Sequence, residues 1–526
     1  MFKSYVMRRK QRGSCLLVNF GLIIFLCAQC MPGIKRELSR DKIPVQNKQD
    51  TSQYLKAHMK DGSLYFLERW YSFDSSNRIK GRGSHYDYNR KLIAGSADTV
   101  FTIDLSTVAL FESNKTTGLG GKIGLQTLVM APAMIVTIYC LTNPKACFGS
   151  CPTFYAWDGT KMRLMAEGFS SSIARAFERS DIDMLHSTVT RGREYRIQMT
   201  NEALETHAVK FADLLVAPRK ENERIFATPS GVFYSSHVII PPSSCIGPEG
   251  DCLAKVLAMD QSERFSTADP ADLASKEIVE VRFSNVPRGK SGLIIGSRQT
   301  FMTTFLFYQG MAHAGSNMPY YLAEVESGNK SMQRHMTRIW DMLGGIEILV
   351  QKKNGKWEKA GELDEMGPIA ADIQLVTLPE TGDEVNIRLR MTKGLWRIDQ
   401  LALVKLDREV QPLRIKPSRV MRDSVEDETA KRWLTDTSQY LVTFPGDRYE
   451  LVYDLPGNGQ GLELFLYTRG YYIEWMRENW IKEENNLKMA IMFSFPRYYL
   501  KMMAPDFKLV EPGMEESFWN SRYAKH

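Results

Sequence analysis

The sequence lacks the local motifs by which the commonest enzyme classes are recognised. It has no G-x-S-x-G elbow, no H-E-x-x-H helix and no G-x-G-x-x-G loop after a strand, so serine-hydrolase, zinc-protease and dinucleotide chemistry are not indicated. Cys140, Cys147 and Cys151 lack the spacing of a zinc site, and no histidine lies near them. We therefore predict no metal and no cofactor, and we expect that the protein is not an enzyme.

The sequence also has little excess of either charge beyond its N-terminus. Of the 68 Lys and Arg residues, five lie before the apolar run 15–28, and without them 63 basic residues face 61 acidic ones. These five are Lys3, Arg8, Arg9, Lys10 and Arg12. Such a balance offers no electrostatic footprint for a phosphate backbone, so nucleic acid is excluded as a partner.

The N-terminus has the layout of a secretory signal peptide. A basic start precedes an apolar run that is too short for a spanning helix. The following residues resemble a lipoprotein signal, with Cys30 as the acylated cysteine and Cys27 as the alternative. An uncleaved signal anchor, or a signal cut by the ordinary peptidase, is the competing interpretation. We expect an exported protein, attached through a lipid to the outer membrane and facing the periplasm or the cell surface.

Short β-prone runs separated by turn residues recur along the chain. They predict a mainly β protein with some α, built from several small β-barrel or β-sandwich domains in tandem with a helical C-terminal tail. Asp158-Gly159 and Asn354-Gly355 predict hairpins. Helices are expected at 269–277 and before Gly344-Gly345, and Pro496 should interrupt any helix in the tail.

The same pattern predicts the domain organisation. The predicted segments are a signal peptide at 1–30, a tether at 31–55, a β meander or barrel at 56–117, an apolar connector or membrane segment at 118–146, a β domain at 147–278, a β-sandwich with a helical insertion at 279–412, and a C-terminal β segment with a helical tail at 413–526. Residues 123–141 are long enough to span a bilayer, but a buried connector is the preferred interpretation.

Cysteines and carboxylates supply the remaining candidate sites. In an oxidising compartment Cys147, Cys151, Cys245 and Cys252 are disulfide candidates, with short loops joining the first two and the last two. A nucleophilic Cys151 would need His186 or His207 as its base, and nothing in the spacing supports this. Glu167, Glu178 and Asp181 are close in sequence and could act in glycoside hydrolysis, although surface charge is the preferred interpretation.

A cluster of aromatic residues lies near the C-terminus. Tyr471, Tyr472, Trp475 and Trp480 are a possible stacking platform for a sugar or a peptide. The same cluster suits a buried corner between a strand and a helix, which is the commoner use of such residues.

Several segments resemble a family of uncharacterised exported proteins of bacterial envelopes. The resemblance is carried by CFGSCPTFY at 147–155 with its Trp-Asp-Gly turn, by FERSDID and REYRIQMTNEALETH, and by RGYYIEWMRENWI near the end. It covers most of residues 60–480. It implies an envelope location and a multi-domain β architecture, and no activity or functional residue.

These observations predict an envelope lipoprotein that acts as a non-enzymatic interaction or scaffold component. Its expected partners are the membrane, through the lipid anchor, and another envelope protein. A surface that binds carbohydrate or peptide is the alternative, and an exported hydrolase is the third hypothesis. The hydrolase would need carboxylates or a Cys-His pair that converge in a cleft.

Overall fold

The structure, a computed structural model, describes residues 33–39, 43, 53–59, 63–72, 77–86, 92–117, 151–190, 192–203, 205–364, 367–380, 382–474 and 483–521. The chain divides into two units, with the division after residue 130. Each unit has its own sheets and its own apolar core. The signal peptide, Cys27, Cys30 and the apolar connector lie outside the described residues.

The first unit is a six-stranded antiparallel sheet. Its strands are β1 Gly33–Ser39, β2 Leu55–Met59, β3 Leu64–Ser72, β4 Arg78–Tyr86, β5 Leu92–Asp104 and β6 Val108–Thr117, in the order β1-β6-β2-β3-β4-β5. Leu55, Trp70 and Phe111 contribute to its core. Because β1 pairs with β6 along all of its 7 residues, this part of the predicted tether is a strand.

The second unit contains strands β7 to β30. The first group is β7 Thr153–Trp157, β8 Met162–Glu167, β9 Arg179–Met184, β10 Glu194–Thr200, β11 Glu205–Pro218, β12 Arg224–Ala227, β13 Phe233–Ser236, β14 Ile239–Ile240, β15 Ser244–Gly247, β16 Gly250–Asp251, β17 Lys276–Phe283 and β18 Ser291–Gln299. The second group is β19 Ile346–Gln351, β20 Trp357–Leu363, β21 Asp372–Thr377, β22 Val385–Thr392, β23 Trp396–Lys405, β24 Arg408–Val410, β25 Leu413–Ile415, β26 Arg419–Arg422, β27 Val425–Glu426, β28 Leu441–Thr443, β29 Arg448–Asp454 and β30 Leu462–Glu474.

These strands form open antiparallel sheets. We name them sheet 1 (β27-β26-β29-β10-β7-β8), sheet 2 (β25-β11-β30-β9, with β28 also on β11), sheet 3 (β12-β13-β24), sheet 4 (β14-β23-β18-β21) and sheet 5 (β16-β15-β17-β22-β19-β20). Sheets 1 and 2 face each other across one core. Phe154 and Leu451 come from sheet 1, Leu214 and Leu466 come from sheet 2, and all four are fully buried. This is β-sandwich packing.

Strand β18 connects two further cores. It is buried along its whole length. Leu293 and Ile295 point into the core that contains sheet 5 and most of the helices, whereas Ile294 points into the core shared by sheets 2, 3 and 4. A strand that is buried on both faces has a continuous apolar run rather than an alternating one, which explains the sequence GLIIG.

The helices of the described chain are α1 Met302–Ala314, α2 Met318–Glu326, α3 Lys330–Leu343, α4 Glu428–Thr435, α5 Asn486–Ser494 and α6 Pro496–Ser521. Their ends follow local chemistry. The side chain of Asn329 accepts hydrogen bonds from the backbone at the start of α3, and Gly344, with φ 60°, ends that helix. Pro496 begins α6, where its missing N–H has no partner to lose. No helix among the described residues is both long and apolar enough to cross a bilayer.

The predicted fold class is confirmed, and so are several local elements. The turns at Asp158-Gly159 and Asn354-Gly355 join β7 to β8 and β19 to β20, and both glycines have positive φ. The predicted helix at 269–277 is wrong. The side chain of Asp269 accepts hydrogen bonds from two backbone N–H groups of a turn, and strand β17 begins soon afterwards at Lys276.

The sheets cross the predicted boundaries at residues 278 and 412. Strand β10 pairs with β29, and β11 pairs with β30, so segments 147–278 and 413–526 share sheets 1 and 2. Strand β14 likewise joins β23 in sheet 4. Pairing between distant segments is set by the register of whole strands and leaves no local signal in the sequence.

Candidate functional site

A cavity of about 460 Å³ opens in the second unit. Strand ends of sheets 1 and 2, one face of α1, the C-terminal half of α3 and the loop at 367–368 form its walls. This volume falls in the range of pockets that hold small ligands. The cavity is therefore the candidate functional site of the described chain.

Glu167 lies at the inner end of the cavity because of the hairpin β7–β8. The register places Thr153 opposite Glu167, so that Cys151, two residues earlier, lies beside the carboxyl group. The backbone N–H of Ile369 donates to Oε2 of Glu167 at 2.8 Å. Gly367 leaves the necessary room, because a β-carbon there would lie 2.0 Å from Oε2.

The environment of Glu167 favours its neutral form. Burial raises the pKa of Glu167 to about 7, against the opposing effect of hydrogen bonds from the backbone of Ile369 and Ala370 and from the Cys151 thiol. No cation among the described residues is within ion-pair distance of this carboxyl group. A carboxyl group of this kind exchanges its proton near neutral pH, as general acids and ligand-binding carboxylates do.

Cys151 is a buried thiol and not a poised nucleophile. Burial raises the pKa of Cys151 well above its ordinary value, and the carboxylates of Glu167 and Glu205 raise it further. Its Sγ lies 3.6 Å from the carbonyl oxygen of Ser170, which also accepts a hydrogen bond from the hydroxyl of Tyr472 at 3.2 Å. Since the thiolate is the reactive species, this site does not favour a hydrolase that uses Cys151 as its nucleophile.

Two further glutamates reach the cavity from sheet 2. Glu205 on β11 is directly opposite Glu474 on β30, and His207 is directly opposite Tyr472. A hydrogen bond of 2.8 Å joins Nε2 of His207 to Oε1 of Glu205. Cross-strand neighbours share a face of the sheet, and like charges there are unfavourable for stability. Glu205 and Glu474 therefore lie side by side on the same face of sheet 2.

The lining also includes aromatic rings and further carboxyl groups, among hydroxyl, amide and aliphatic side chains. Phe177, Phe307, Tyr308 and Trp340 supply ring surfaces. Among the described lining residues, the carboxyl groups are Glu167, Glu205, Asp341, Glu362, Asp364 and Glu474, and the only cationic group is Arg179. Rings beside carboxylates form a surface that attracts organic cations.

Only some of the candidate residues predicted from the sequence line this cavity. Of the three carboxylates close in sequence, Glu167 lines the cavity, whereas Glu178 binds Arg469 at 2.8 Å and Asp181 accepts from the backbone of Phe169 at 3.2 Å. Neither His186 nor His207 is among the described lining residues. Glu205, Glu474 and Trp340 were not predicted, because their convergence depends on pairing between distant strands and on helix packing.

The predicted ring platform needs a correction. Tyr471 and Tyr472 are only 3% and 8% exposed, so they offer no open ring face to solvent. Tyr472 instead lines the cavity, and its hydroxyl donates to the carbonyl oxygen of Ser170. Trp475 and Trp480 lie outside the described residues.

The predicted disulfides are also not seen. Cys151, Cys245 and Cys252 are thiols in this structure, and Cys147 lies outside the described residues. Within the described part of the chain, no cluster of three or more His, Cys, Asp or Glu residues is arranged to hold a metal ion.

No protein-family model and no curated protein matches the sequence. Among solved structures, the chain is similar to a β-porphyranase of glycoside hydrolase family 86 from the human gut bacterium Bacteroides plebeius, with 7% identity over 44% of this chain and 37% of that chain and a TM-score of 0.14. It is also similar to the secreted serine protease VesC from Vibrio cholerae, with 8% identity over 65% of this chain and 63% of that chain and a TM-score of 0.14. The chain thus spans less than two thirds of either structure, and TM-scores this low carry no argument about function.

Proposed function

We propose that the protein is an exported ligand-binding protein whose cavity receives a small organic cation. The observation that carries the proposal is Glu167, a carboxyl group that is only 4% exposed and faces an aromatic cavity. A buried carboxylate that serves stability alone is normally paired with a cation. Glu167 is held instead by main-chain N–H groups and a thiol, and the charge of Arg298 acts on it only from beyond ion-pair distance, so a cationic ligand would give it a direct partner.

The cavity wall supports this choice of ligand. A protonated amine or guanidinium gains from carboxylate oxygens and from aromatic faces such as those of Trp340 and Phe307. An anionic ligand would meet the acidic lining described above. The volume of about 460 Å³ suits a molecule of metabolite size.

Calorimetric titration of the purified chain tests the proposal. Putrescine, agmatine and choline are the probes, each beside a neutral polyol of matched size. At pH 8, where Glu167 is ionised, we expect a cation to bind and Glu167→Gln to weaken binding by about tenfold or more, because a charge-assisted hydrogen bond is lost. Equal binding of the neutral polyols, or unchanged affinity in the variant, would count against the proposal.

Hydrolysis is the second candidate function. One observation favours it: a carboxyl group with a pKa of about 7 shares the cavity with Glu205, which is hydrogen-bonded to the buried His207 behind the cavity wall. Glu167 would act as the general acid and the Glu205–His207 pair would assist a water molecule. The test is a screen of glycans and peptides, the substrates of exported hydrolases. We expect that any turnover found by the screen falls at least a hundredfold in Glu167→Gln. Absence of turnover across the screen would leave ligand binding as the function.

Export and the lipid anchor at Cys30 belong to the same proposal. They are supported by the N-terminal sequence and by the resemblance to envelope proteins. Palmitate labelling that disappears in Cys30→Ser would support acylation, and labelling retained in that variant would redirect attention to Cys27. Crosslinking in membranes tests the predicted envelope partner, and recovery of the protein alone would contradict a scaffold role.

A further inference from the structure

A short hairpin in sheet 5 places two cysteines opposite each other. Strands β15 and β16 pair with Ile246 opposite Asp251, and the next pair outward is Cys245 and Cys252. The backbone N–H of Cys252 donates to the carbonyl oxygen of Cys245 at 2.8 Å. The two thiols are close enough for each to shift the pKa of the other, and both side chains are buried.

This geometry matches what a disulfide requires. Opposed residues of an antiparallel pair have Cα atoms about 5.5 Å apart, and a disulfide spans roughly 4.4 to 6.8 Å between Cα atoms. We propose that Cys245 and Cys252 are joined by an intramolecular disulfide in the mature protein. Two S–H bonds break and one S–S bond forms. Two protons are released, and two electrons reduce a disulfide-bearing oxidant, either a thiol–disulfide oxidoreductase or oxidised glutathione.

The hairpin tip gives the bridge a structural role. Glu249, between the two cysteines, accepts hydrogen bonds from Nε and Nη2 of Arg264 at 2.6 and 2.9 Å. Nη1 of Arg264 donates to Glu277 at 2.8 Å. Arg264 is only 1% exposed, and a buried guanidinium depends on its carboxylates. A bridge at the base of the tip therefore holds Glu249 on Arg264.

Peptide mapping of the full chain tests the bridge directly. The chain is incubated with oxidised glutathione, unfolded in the presence of iodoacetamide and digested with trypsin. Both cysteines fall in one tryptic peptide, residues 225–255. We expect this peptide to carry no alkyl group and to be lighter than the dithiol by two hydrogens. Two alkyl groups on the peptide would overturn the proposal, whatever the cavity binds.

Thermal unfolding tests the structural role. Reductant should lower the midpoint of the oxidised wild-type chain by a few degrees and leave Cys245→Ser unchanged, while Cys151→Ser serves as the matched control that keeps the shift. A bridged peptide without any shift on reduction would refute the role at the hairpin tip. If Cys245→Ser fails to fold, the wild-type peptide map still decides whether the bridge forms. The effect of reductant on the wild type and on Cys151→Ser then decides whether the bridge stabilises the fold.

Discussion

Gly367 lies against the carboxyl group of Glu167, so closely that a β-carbon at position 367 would be 2.0 Å from Oε2 and 2.2 Å from Cδ. The contact links a loop residue to the group on which the proposed function rests. Gly367 is not among the glycines with positive φ, so alanine would act through this contact and not through a left-handed backbone.

We therefore predict that Gly367→Ala displaces the Glu167 carboxyl from the N–H of Ile369. The expected loss in the free energy of unfolding is about 1–3 kcal/mol, as for other overpacked sites, together with weaker cation binding. Urea unfolding and calorimetry would measure the two effects. Gly382→Ala is the matched control, because a β-carbon there meets nothing within 4 Å. Equal behaviour of the two variants would contradict this role of Gly367.

Burial of Glu167 should also make stability depend on pH. The pKa of Glu167 is about 7 in the folded chain, whereas the ordinary glutamate value of 4.5 applies to the unfolded chain. Between these values the folded state binds more protons, so the free energy of unfolding falls as pH rises, by up to about 3 kcal/mol from this group. Glu167→Gln should remove that part of the slope in urea unfolding from pH 4.5 to 7.

The exposed residue Glu221 provides the control for this experiment. Glu221→Gln should leave the slope as it is in the wild type. Asp183 and Asp372 are also buried, and burial raises the pKa of each, so they add a slope of the same sign. Burial lowers the pKa of His186 and of His313, which adds a slope of the opposite sign, so the difference between the wild type and Glu167→Gln isolates the contribution of Glu167. If Glu167→Gln has the same slope as the wild type, the carboxyl group of Glu167 in the wild type is solvated.

Cys151 should resist alkylation in the folded protein. Burial and the nearby carboxylates raise the pKa of its thiol, and the residue is 5% exposed, so little thiolate meets the reagent. Mass spectrometry after iodoacetamide treatment at pH 8 should find Cys151 unmodified in buffer and modified in concentrated urea. Rapid modification in buffer would restore the nucleophile hypothesis.

Arg264→Met should be strongly destabilising. The substitution leaves Glu277, 5% exposed, without its guanidinium, and breaking a buried ion pair in this way costs about 3–5 kcal/mol. Arg196→Met removes two ion pairs on the surface, where the Arg196 side chain is 49% exposed, and should cost less than about 1 kcal/mol. Chemical unfolding of both variants gives the comparison, and similar losses would contradict the burial argument.

The local features of the fold were predictable from the sequence. Asp158-Gly159 and Asn354-Gly355 predict hairpins because few residues accept positive φ angles, and Gly344 ends a helix for the same reason. An Asp side chain can cap the start of a helix, and it can also accept hydrogen bonds in an isolated turn. The sequence at Asp269 therefore predicts a helix, although the structure has a turn there.

The sequence analysis named three residues that line the candidate site, Glu167, Cys151 and Tyr472, and it predicted a different role for Tyr472. Glu167 and Cys151 are the two that follow from local sequence. These two residues lie at the base of a hairpin that the sequence indicates. Glu205 and Glu474 face each other only because β11 and β30 pair in one particular register. A shift of one residue would send both side chains to the opposite face, and no nearby residue in the sequence records which register is chosen.

The pairing of β11 with β30 also constrains the order in which the chain acquires its structure. Pro218 pairs with Leu462, and ribosomes add about 5–20 residues per second, so β11 waits tens of seconds for its neighbour to be synthesised. During that interval the edge of β11 that β30 will cover has unpaired N–H and C=O groups, which can pair with another chain. The first unit has no such delay, because its sheet is complete once Thr117 has emerged.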